Sequence, residues 1–245
     1  RVTVNLAPAD LPKEGGRFDL AIAIGILVAS GQLPAAAVSG REFLSELALS
    51  GACCSVKGVL PSIAEAEQCS HKVYVAQDDA HYRTLLSSEN IYGVRDLLEL
   101  VQHLREPDTY PLKKGSKVMV GQAALPSERG NDLAEVVGQY SAKHALEVAA
   151  AGGQNVLLYG PPGTGKSMLA SRIISILPSL SKTQALEVAA LYTLTQQPRN
   201  EEDWYAPPFR APHHSSSAVA LVGGGARPRP GEVSLSHHGV LFMDH

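Results

Sequence analysis

One eight-residue segment constrains the fold of this 245-residue chain more than any other. Residues 160–167 read GPPGTGKS and match the pattern G-x-x-x-x-G-K-[ST] at every fixed position. A mostly apolar pentapeptide at 155–159 (NVLLY) precedes this segment, and a helical pattern follows at 168–177, before Pro178. The order predicts a phosphate-binding loop between a buried strand of a parallel sheet and a helix, which indicates an α/β fold.

The residue types of this loop suit a nucleoside triphosphate with Mg²⁺, and ATP is the expected ligand. Glycines let the backbone curl so that successive N–H groups point at phosphate oxygens, and the N-terminal end of the next helix favours negative charge. Lys166 is expected to reach the β and γ phosphates, and Ser167 to ligate Mg²⁺. A glycine-rich turn without a ligand is the competing interpretation. The predicted nucleotide-binding residues are Gly160, Pro161, Pro162, Gly163, Thr164, Gly165, Lys166, Ser167 and Met168.

A carboxylate that helps to hold Mg²⁺ is expected at the end of a neighbouring strand. Residues 240–243 (VLFM) are apolar, and Asp244 follows them directly. We predict that Asp244 and Ser167 hold the Mg²⁺, and that Asp244 and Lys166 act in catalysis. In most ATPases of this type a glutamate that activates water follows the aspartate, whereas His245 follows it here.

Composition and charge exclude several classes of protein. With 44% hydrophobic, 18% charged and 5% aromatic residues, the chain has the make-up of a soluble α/β protein, and a net charge of −3 announces neither a nucleic-acid nor a membrane partner. The apolar run at 20–29 is too short to cross a bilayer, so it predicts a buried helix and no membrane partner. The three cysteines match no metal-ligand spacing and indicate reduced thiols of a cytoplasmic protein.

Hydrophobic periodicity predicts two domains joined by a linker. The elements predicted for residues 1–106 are a strand at 2–6, a helix from Phe18, two strands with a turn within 44–60, a helix at 62–68, a strand at 71–76 and a helix at 94–104. Residues 107–132 contain many Pro, Gly, Ser and Lys residues with little periodicity, which is typical of an interdomain linker. In the second domain, 133–245, a helix is predicted at 141–151, ended by Gly152 and Gly153.

Five blocks of residues 134–244 carry a resemblance to a known family: VGQ at 137–139, GPPGTGKS at 160–167, FRAPHHS at 209–215, LVGGGARPRPGE at 221–232 and GVLFMD at 239–244. In this order they resemble the AAA+ module of the YifB/ComM family, whose members are related to magnesium chelatase. The resemblance implies that Val137 and Gly138 lie beside the adenine. It also implies that the glycines at 223–225 belong to an insertion facing the central pore of a hexameric ring.

For the whole protein, the resemblance implies an ATP-driven homo-hexameric DNA helicase that moves branched DNA, with branched or single-stranded DNA as its partner. AAA+ modules continue beyond this point with further strands, sensor residues, an arginine finger and a helical lid. We therefore expect this chain to hold the first, truncated part of such a P-loop AAA+ domain and not to hydrolyse ATP by itself. Two alternatives stay open: the motor subunit of a metal-inserting chelatase with a porphyrin partner, and a nucleotide-binding module without hydrolysis.

The first domain resembles the proteolytic domain of Lon, as the first domain of that family does. Residues 12–15 (PKEG) match the block before the Lon nucleophile, but residues 16–18 (GRF) offer no serine, and 63–66 (IAEA) offer no lysine where one is expected. Without an activated hydroxyl there is no acyl-enzyme route. We expect an N-terminally truncated α+β domain of the Lon-protease-like (ribosomal protein S5 domain 2-like) fold, which is not a protease and serves as a scaffold or in ring formation.

Two histidine pairs and two arginines leave alternatives open. The histidine pairs at 213–214 and 237–238 suggest a metal, but adjacent residues on a strand point to opposite faces, which favours hydrogen bonds within loops instead. Arg227 and Arg229 are spaced by prolines. They suit either contacts with DNA phosphates in a pore or an exposed, stiff loop with solvated charges.

Overall fold

The structure is a computed structural model that describes residues 3–5, 15–112, 132–195, 199–225 and 228–244. The chain divides into two compact units, Arg1–Met119 and Val120–His245. Helices and parallel strands occur together, so the fold is of the α/β class. The division falls within the range 107–132 that the sequence assigns to a linker. Because residues 113–131 lie outside the described part of the chain, the linker stays a prediction.

The first unit is a small parallel sheet with helices in its crossovers. It contains, in chain order, α1 (Asp19–Ala29), β1 (Arg41–Leu44), β2 (Glu46–Leu47), β3 (Cys53–Cys54), α2 (Val59–Gln68), β4 (Lys72–Ala76), α3 (Tyr82–Leu86), β5 (Ile91–Val94) and α4 (Leu97–Arg105). The parallel sheet has the strand order β1-β4-β5, and β2 pairs antiparallel with β3. Parallel neighbours need a long connection between them, and α2 and α3 lie in those connections.

Aromatic rings on the three parallel strands form the centre of this unit's core. Tyr74 of β4 pairs in register with Phe43 of β1 and Tyr92 of β5, and its ring stacks on theirs at centroid distances of 5.3 and 5.2 Å. Leu20 of α1 and Leu100 of α4 are buried in the same cluster. Tyr74 is fully buried because β4 is the central strand, and this burial raises the pKa of its phenol.

Helix α4 begins later than the sequence pattern indicates. The helix predicted at 94–104 starts at Leu97, since the side chain of Asp96 caps it by accepting a 2.8 Å hydrogen bond from the Glu99 amide. Val94 instead ends β5, a strand that the helical spacing concealed. The other predicted elements from 18 to 76 are confirmed as α1, β2, β3, α2 and β4.

The start of the chain differs from its prediction. Residues 3–5 are not in a strand, contrary to the alternation at 2–6, because no described strand pairs with them. Residues 12–14 of the PKEG block lie outside the described residues, and 16–18 form a single 3₁₀ turn before α1. Helix α1 has 11 residues, and within the described ranges no helix has the length and apolar character needed to cross a bilayer.

The second unit is mostly helical with short strands. It contains, in chain order, α5 (Tyr140–Gly152), α6 (Lys166–Arg172), α7 (Lys182–Thr193), β6 (Phe209–Arg210), α8 (Ala218–Val222), β7 (Gly223–Gly224), β8 (Arg229–Pro230), α9 (Glu232–Leu235) and β9 (Val240–Leu241). Strands β6 and β9 are parallel, and β7 and β8 are antiparallel. Residues 133–136, α5 and α6 together form a core cluster. Its buried residues are Leu133, Val136, Leu146 and Leu169.

The buried strand predicted at 155–159 is wrong. This segment is not assigned as a strand, and Leu157 and Tyr159 are 85% and 91% exposed. Only Leu158 packs against the core cluster. A β-strand is defined by backbone hydrogen bonds to a neighbouring strand. Among the described strands, none pairs with this segment. The apolar composition of this segment therefore predicted a strand but could not show whether another strand would pair with it.

Candidate functional site

The loop at 160–167 has the conformation that its glycines allow. Gly163 and Gly165 have φ values of 80° and 84°, in the left-handed region that favours glycine, and Gly165 directly precedes α6. The Thr164 hydroxyl donates a 2.9 Å hydrogen bond to the Pro161 carbonyl, which closes the loop on itself. The helix predicted at 168–177 is confirmed as α6 followed by a 3₁₀ turn, and it ends before Pro178.

The Lys166 side chain folds back over this loop. Its Nζ donates 3.0 Å hydrogen bonds to the carbonyls of Gly160 and Pro161. The ammonium therefore lies at the loop. There it can exchange its hydrogen bonds to these carbonyls for hydrogen bonds to phosphate oxygens, which are stronger acceptors for a cation than neutral carbonyls. Met168, also predicted to bind nucleotide, lies in the first turn of α6 beside Gly165 and is 39% exposed.

The structure brings Ser167 and Asp244 together. The Ser167 hydroxyl donates a 2.8 Å hydrogen bond to Oδ2 of Asp244, and both side chains are exposed. A hydroxyl and a carboxylate oxygen are hard donors of the type that Mg²⁺ takes, so this pair fits the metal implied by the loop. Mg²⁺ ligation by the pair, and catalysis by Lys166 and Asp244, stay predictions.

Strand β9 positions Asp244 through its pairing with β6. The Val240 amide donates to the Pro208 carbonyl and the Phe242 amide to the Arg210 carbonyl, each at 2.8 Å. Gly239 lies against Pro208 so closely that an added Cβ would collide with the Pro208 carbonyl oxygen. Only a glycine fits there without moving the strand, and the sequence reasoning missed this requirement.

Residues 137–139 include the two residues predicted to lie beside the adenine, and they contact the loop through Gln139. Val137 is 95% exposed, and Gly138 and Gln139 both have left-handed backbones, with φ of 75° and 54°. The Gln139 side-chain amide donates a 2.9 Å hydrogen bond to the carbonyl of Thr164. Gln139 was not among the predicted site residues, although its place in the VGQ block was a signal. Adenine contact by Val137 and Gly138 stays a prediction.

The predicted pore region is a short glycine hairpin. Gly223 pairs with Pro230 and Gly224 with Arg229, and the Arg229 side chain is exposed. Next to it, Arg210 of β6 forms an ion pair with Glu232 of α9, and this pair raises the pKa of the Arg210 guanidinium. Arg227 lies outside the described residues. Helix α9, which follows the hairpin, is thus ion-paired to β6, the strand that pairs with β9.

The two histidine pairs differ from each other. His213 bonds to the hydroxyl of Ser215 at 2.7 Å, as expected for a loop. His237 and His238 instead both reach Oε2 of Glu187, at 3.2 and 2.6 Å. The expectation that adjacent histidines diverge is wrong here, because it assumed a strand, whereas the second of this pair has a left-handed backbone with φ of 56°.

Comparisons with known proteins cover both units. A family model described as magnesium chelatase, subunit ChlI, matches residues 132–245, and one described as subunit ChlI of Mg-chelatase matches residues 1–79. Over the whole chain, competence protein ComM of Haemophilus influenzae is 49% identical and the protein YifB of Escherichia coli 47% identical, across 48% and 47% of their lengths. Lon protease 2 of Bacillus subtilis is 27% identical over 54% of the chain and 25% of its own length.

The extent of these matches shows to which family the chain belongs. The chain spans about half the length of the curated relatives it matches, and the identity extends through both units. The similarity to Lon protease 2 is weaker and covers much less of that protein. The blocks that contain the loop at 160–167 and Asp244 lie inside the ChlI match. The chain belongs to the YifB/ComM family of magnesium-chelatase-related proteins.

Proposed function

We propose that residues 132–244 bind ATP and Mg²⁺ at the loop that precedes α6. The contact between the Ser167 hydroxyl and Oδ2 of Asp244 carries this proposal, since it joins the two oxygen donors expected of such a site at 2.8 Å. When bound, Mg²⁺ neutralises charge on the β and γ phosphates. Lys166 exchanges its bonds to loop carbonyls for bonds to phosphate, and Gln139 holds the loop through the Thr164 carbonyl.

Binding of ATP to tag-free protein, measured by calorimetry with and without Mg²⁺, tests this proposal. Lys166→Ala should weaken ATP binding by about 10-fold or more, because a charged hydrogen-bonding partner of the phosphates is lost. Lys182→Ala is the matched control, since this exposed lysine lies on α7 of the same unit and should leave affinity unchanged. Equal affinity of the wild type and Lys166→Ala would refute the assignment.

For the whole protein, we propose an ATP-driven AAA+ motor that acts on branched or single-stranded DNA as a homo-hexamer. The name of the relative ComM, a competence protein, supports a role with DNA. The exposed Arg229 on the glycine hairpin supports contact with phosphates. We propose a cytoplasmic location, which the absence of a disulfide among the three cysteines supports.

The first unit is proposed to be a non-proteolytic Lon-like domain that serves as a scaffold or in ring formation. It is supported by the similarity of just over half of the chain to part of Lon protease 2, together with the absence of a serine at 16–18 of the sequence. Full-length protein should show no hydrolysis of unfolded protein substrates with ATP and Mg²⁺. Any such hydrolysis that disappears with the first unit would contradict the scaffold role.

The second candidate is the motor subunit of a metal-inserting chelatase. The family models that match both units are described by a magnesium chelatase subunit, which favours it. ATPase assays of the full-length protein separate the two functions. Stimulation by forked DNA, with strand displacement, supports the DNA motor, whereas stimulation only by a porphyrin-binding partner supports the chelatase. Gel filtration with ATP and Mg²⁺ tests the hexamer in the same preparation.

A further inference from the structure

A carboxylate and two imidazoles converge on one point at the surface of the second unit. Oε2 of Glu187 on α7 lies 3.2 Å from Nε2 of His237 and 2.6 Å from Nε2 of His238. All three ligand atoms lie within 4.8 Å of one another. None of the three residues belongs to the nucleotide site described above. The cluster therefore needs an explanation of its own.

The backbone between α9 and β9 creates this convergence. His238 has φ of 56°, so the chain reverses between the two histidines and their rings lie on the same side, with centroids 3.9 Å apart. Helix α7 is fixed beside this turn by the hydroxyl of Tyr192, which donates a 3.0 Å hydrogen bond to the Leu235 carbonyl. The turn itself is closed by the Gly239 amide, which donates to the carbonyl of Ser236 at 2.8 Å. The cluster is thus built on a hydrogen-bonded framework.

We propose that Glu187, His237 and His238 form a binding site for a divalent transition-metal cation of the zinc class. Two imidazole nitrogens and one carboxylate oxygen are a common zinc ligand set, whereas Mg²⁺ takes oxygen ligands. The side chains of the two histidines are 47% and 26% exposed and that of Glu187 is 50% exposed, so the ion can enter and water can complete its coordination.

The two distances from the histidine nitrogens to Oε2 of Glu187 suit a tetrahedral ion. Metal–ligand bonds of about 2.1 Å place neighbouring ligand atoms about 3.4 Å apart. The separation of 3.2 Å between His237 and Glu187 already approaches this value. The separation of 2.6 Å between His238 and Glu187 opens by less than about 1 Å, which an exposed side chain provides by rotation. Any proton held in these hydrogen bonds leaves to solvent as the ion binds, because only unprotonated nitrogen ligates a metal.

Among the described residues, the histidine pair at 213–214 lacks the carboxylate that the cluster at Glu187 contains. His213 and His214 are also adjacent, with ring centroids 4.0 Å apart. His213 bonds to the hydroxyl of Ser215, and in the described part of the chain no third acidic, histidine or cysteine ligand gathers with this pair. They therefore provide a matched control with the same residue types in the same unit.

Zinc titration of tag-free, EDTA-treated, nucleotide-free protein by calorimetry tests the proposal, with Co²⁺ absorption as an independent report of coordination. We expect one Zn²⁺ per chain and a higher melting temperature with Zn²⁺. Glu187→Gln and His238→Asn should each weaken binding by about 10-fold or more, since loss of even an outer partner costs that much. Asparagine at 238 also tolerates the left-handed backbone, so the variant keeps its fold.

The control variant His213→Ala/His214→Ala should bind Zn²⁺ like the wild type. Melting curves without metal check that each variant is folded. The proposal is overturned if wild-type protein binds Zn²⁺ no more tightly than Glu187→Gln, in which case the cluster is an ion pair only. It is also overturned if the control variant loses as much affinity as His238→Asn, since binding would then not depend on this cluster.

Discussion

The hydroxyl of Ser167 donates a 2.8 Å hydrogen bond to Oδ2 of Asp244, although the two residues are 77 positions apart in the sequence. The contact joins the first turn of α6 to the segment that follows β9. It makes the geometry of the phosphate-binding loop depend on a strand that the chain reaches much later. Substitutions at either residue, or in the strand pair β6–β9, should therefore change the affinity for Mg²⁺ and ATP.

A double-mutant cycle on this pair should show strong coupling. Ser167→Ala and Asp244→Asn are each expected to weaken Mg-ATP binding by about 10-fold, because each removes one hard oxygen donor. The double variant should lose less than the sum of the two free-energy changes, since residues that act on one ion are not independent. Calorimetry in Mg²⁺ and in EDTA measures the cycle, and additive losses would show that the two residues do not share a metal.

The Gly239→Ala variant should displace β9. The added methyl group collides with the carbonyl oxygen of Pro208, and this oxygen belongs to backbone that cannot rotate away. We expect a loss of about 1–3 kcal/mol in the free energy of unfolding, together with weaker Mg-ATP binding as Asp244 moves. Urea denaturation and calorimetry measure the two effects.

Gly25→Ala is the matched control for that substitution. Gly25 lies in α1, and an added Cβ there meets open space. Alanine in a helix is favoured over glycine, so this variant should be as stable as the wild type or more stable by up to about 1 kcal/mol. An unchanged stability of Gly239→Ala would mean that the β6–β9 pairing adapts at no cost, contrary to the close contact described here.

The Gln139 side chain should contribute to nucleotide affinity without touching the metal. Its amide donates a 2.9 Å hydrogen bond to the carbonyl of Thr164, so Gln139→Ala should weaken ATP binding by about 5-fold, equally with and without Mg²⁺. Gln139→Gly should lose the same affinity but be more stable than the alanine variant, since φ is 54°. Gln154→Ala, which removes only a bond to the Gly152 carbonyl, is the control. A loss seen only with Mg²⁺ would contradict this role.

Local pattern was sufficient for the phosphate-binding loop and for the helices that periodicity predicted, apart from the start of α4, because the glycines and periodicity that specify them lie within a few residues. It failed at 155–159, where an apolar run could not reveal which strand would pair with it. It also failed at His238, where a single left-handed residue turned two diverging side chains toward one carboxylate. Contacts such as the one between Ser167 and Asp244 become visible only when distant segments have packed.

Asp79 of the first unit is a buried carboxyl whose ionisation should oppose folding. It is 6% exposed, and its Oδ2 has no hydrogen-bond partner among the described residues. Burial raises its pKa from the ordinary value of 3.8 to about 6, although hydrogen bonds from Ser55 and from the Val56 amide act in the opposite direction. The folded protein therefore holds this proton more tightly than the unfolded chain does.

Because the folded-state pKa of Asp79 is the higher one, its favourable contribution to stability is complete below about pH 4 and is lost as the pH rises through about 6. A tenfold change in proton affinity is about 1.4 kcal/mol, so ionisation costs up to about 3 kcal/mol. Asp79→Asn cannot ionise, and its stability relative to the wild type should increase by up to that amount between pH 4 and pH 7. Urea denaturation across this range measures the difference. Asp78→Asn, at an exposed neighbour, is the control, and a parallel pH profile for the two variants would contradict the role of the buried carboxyl.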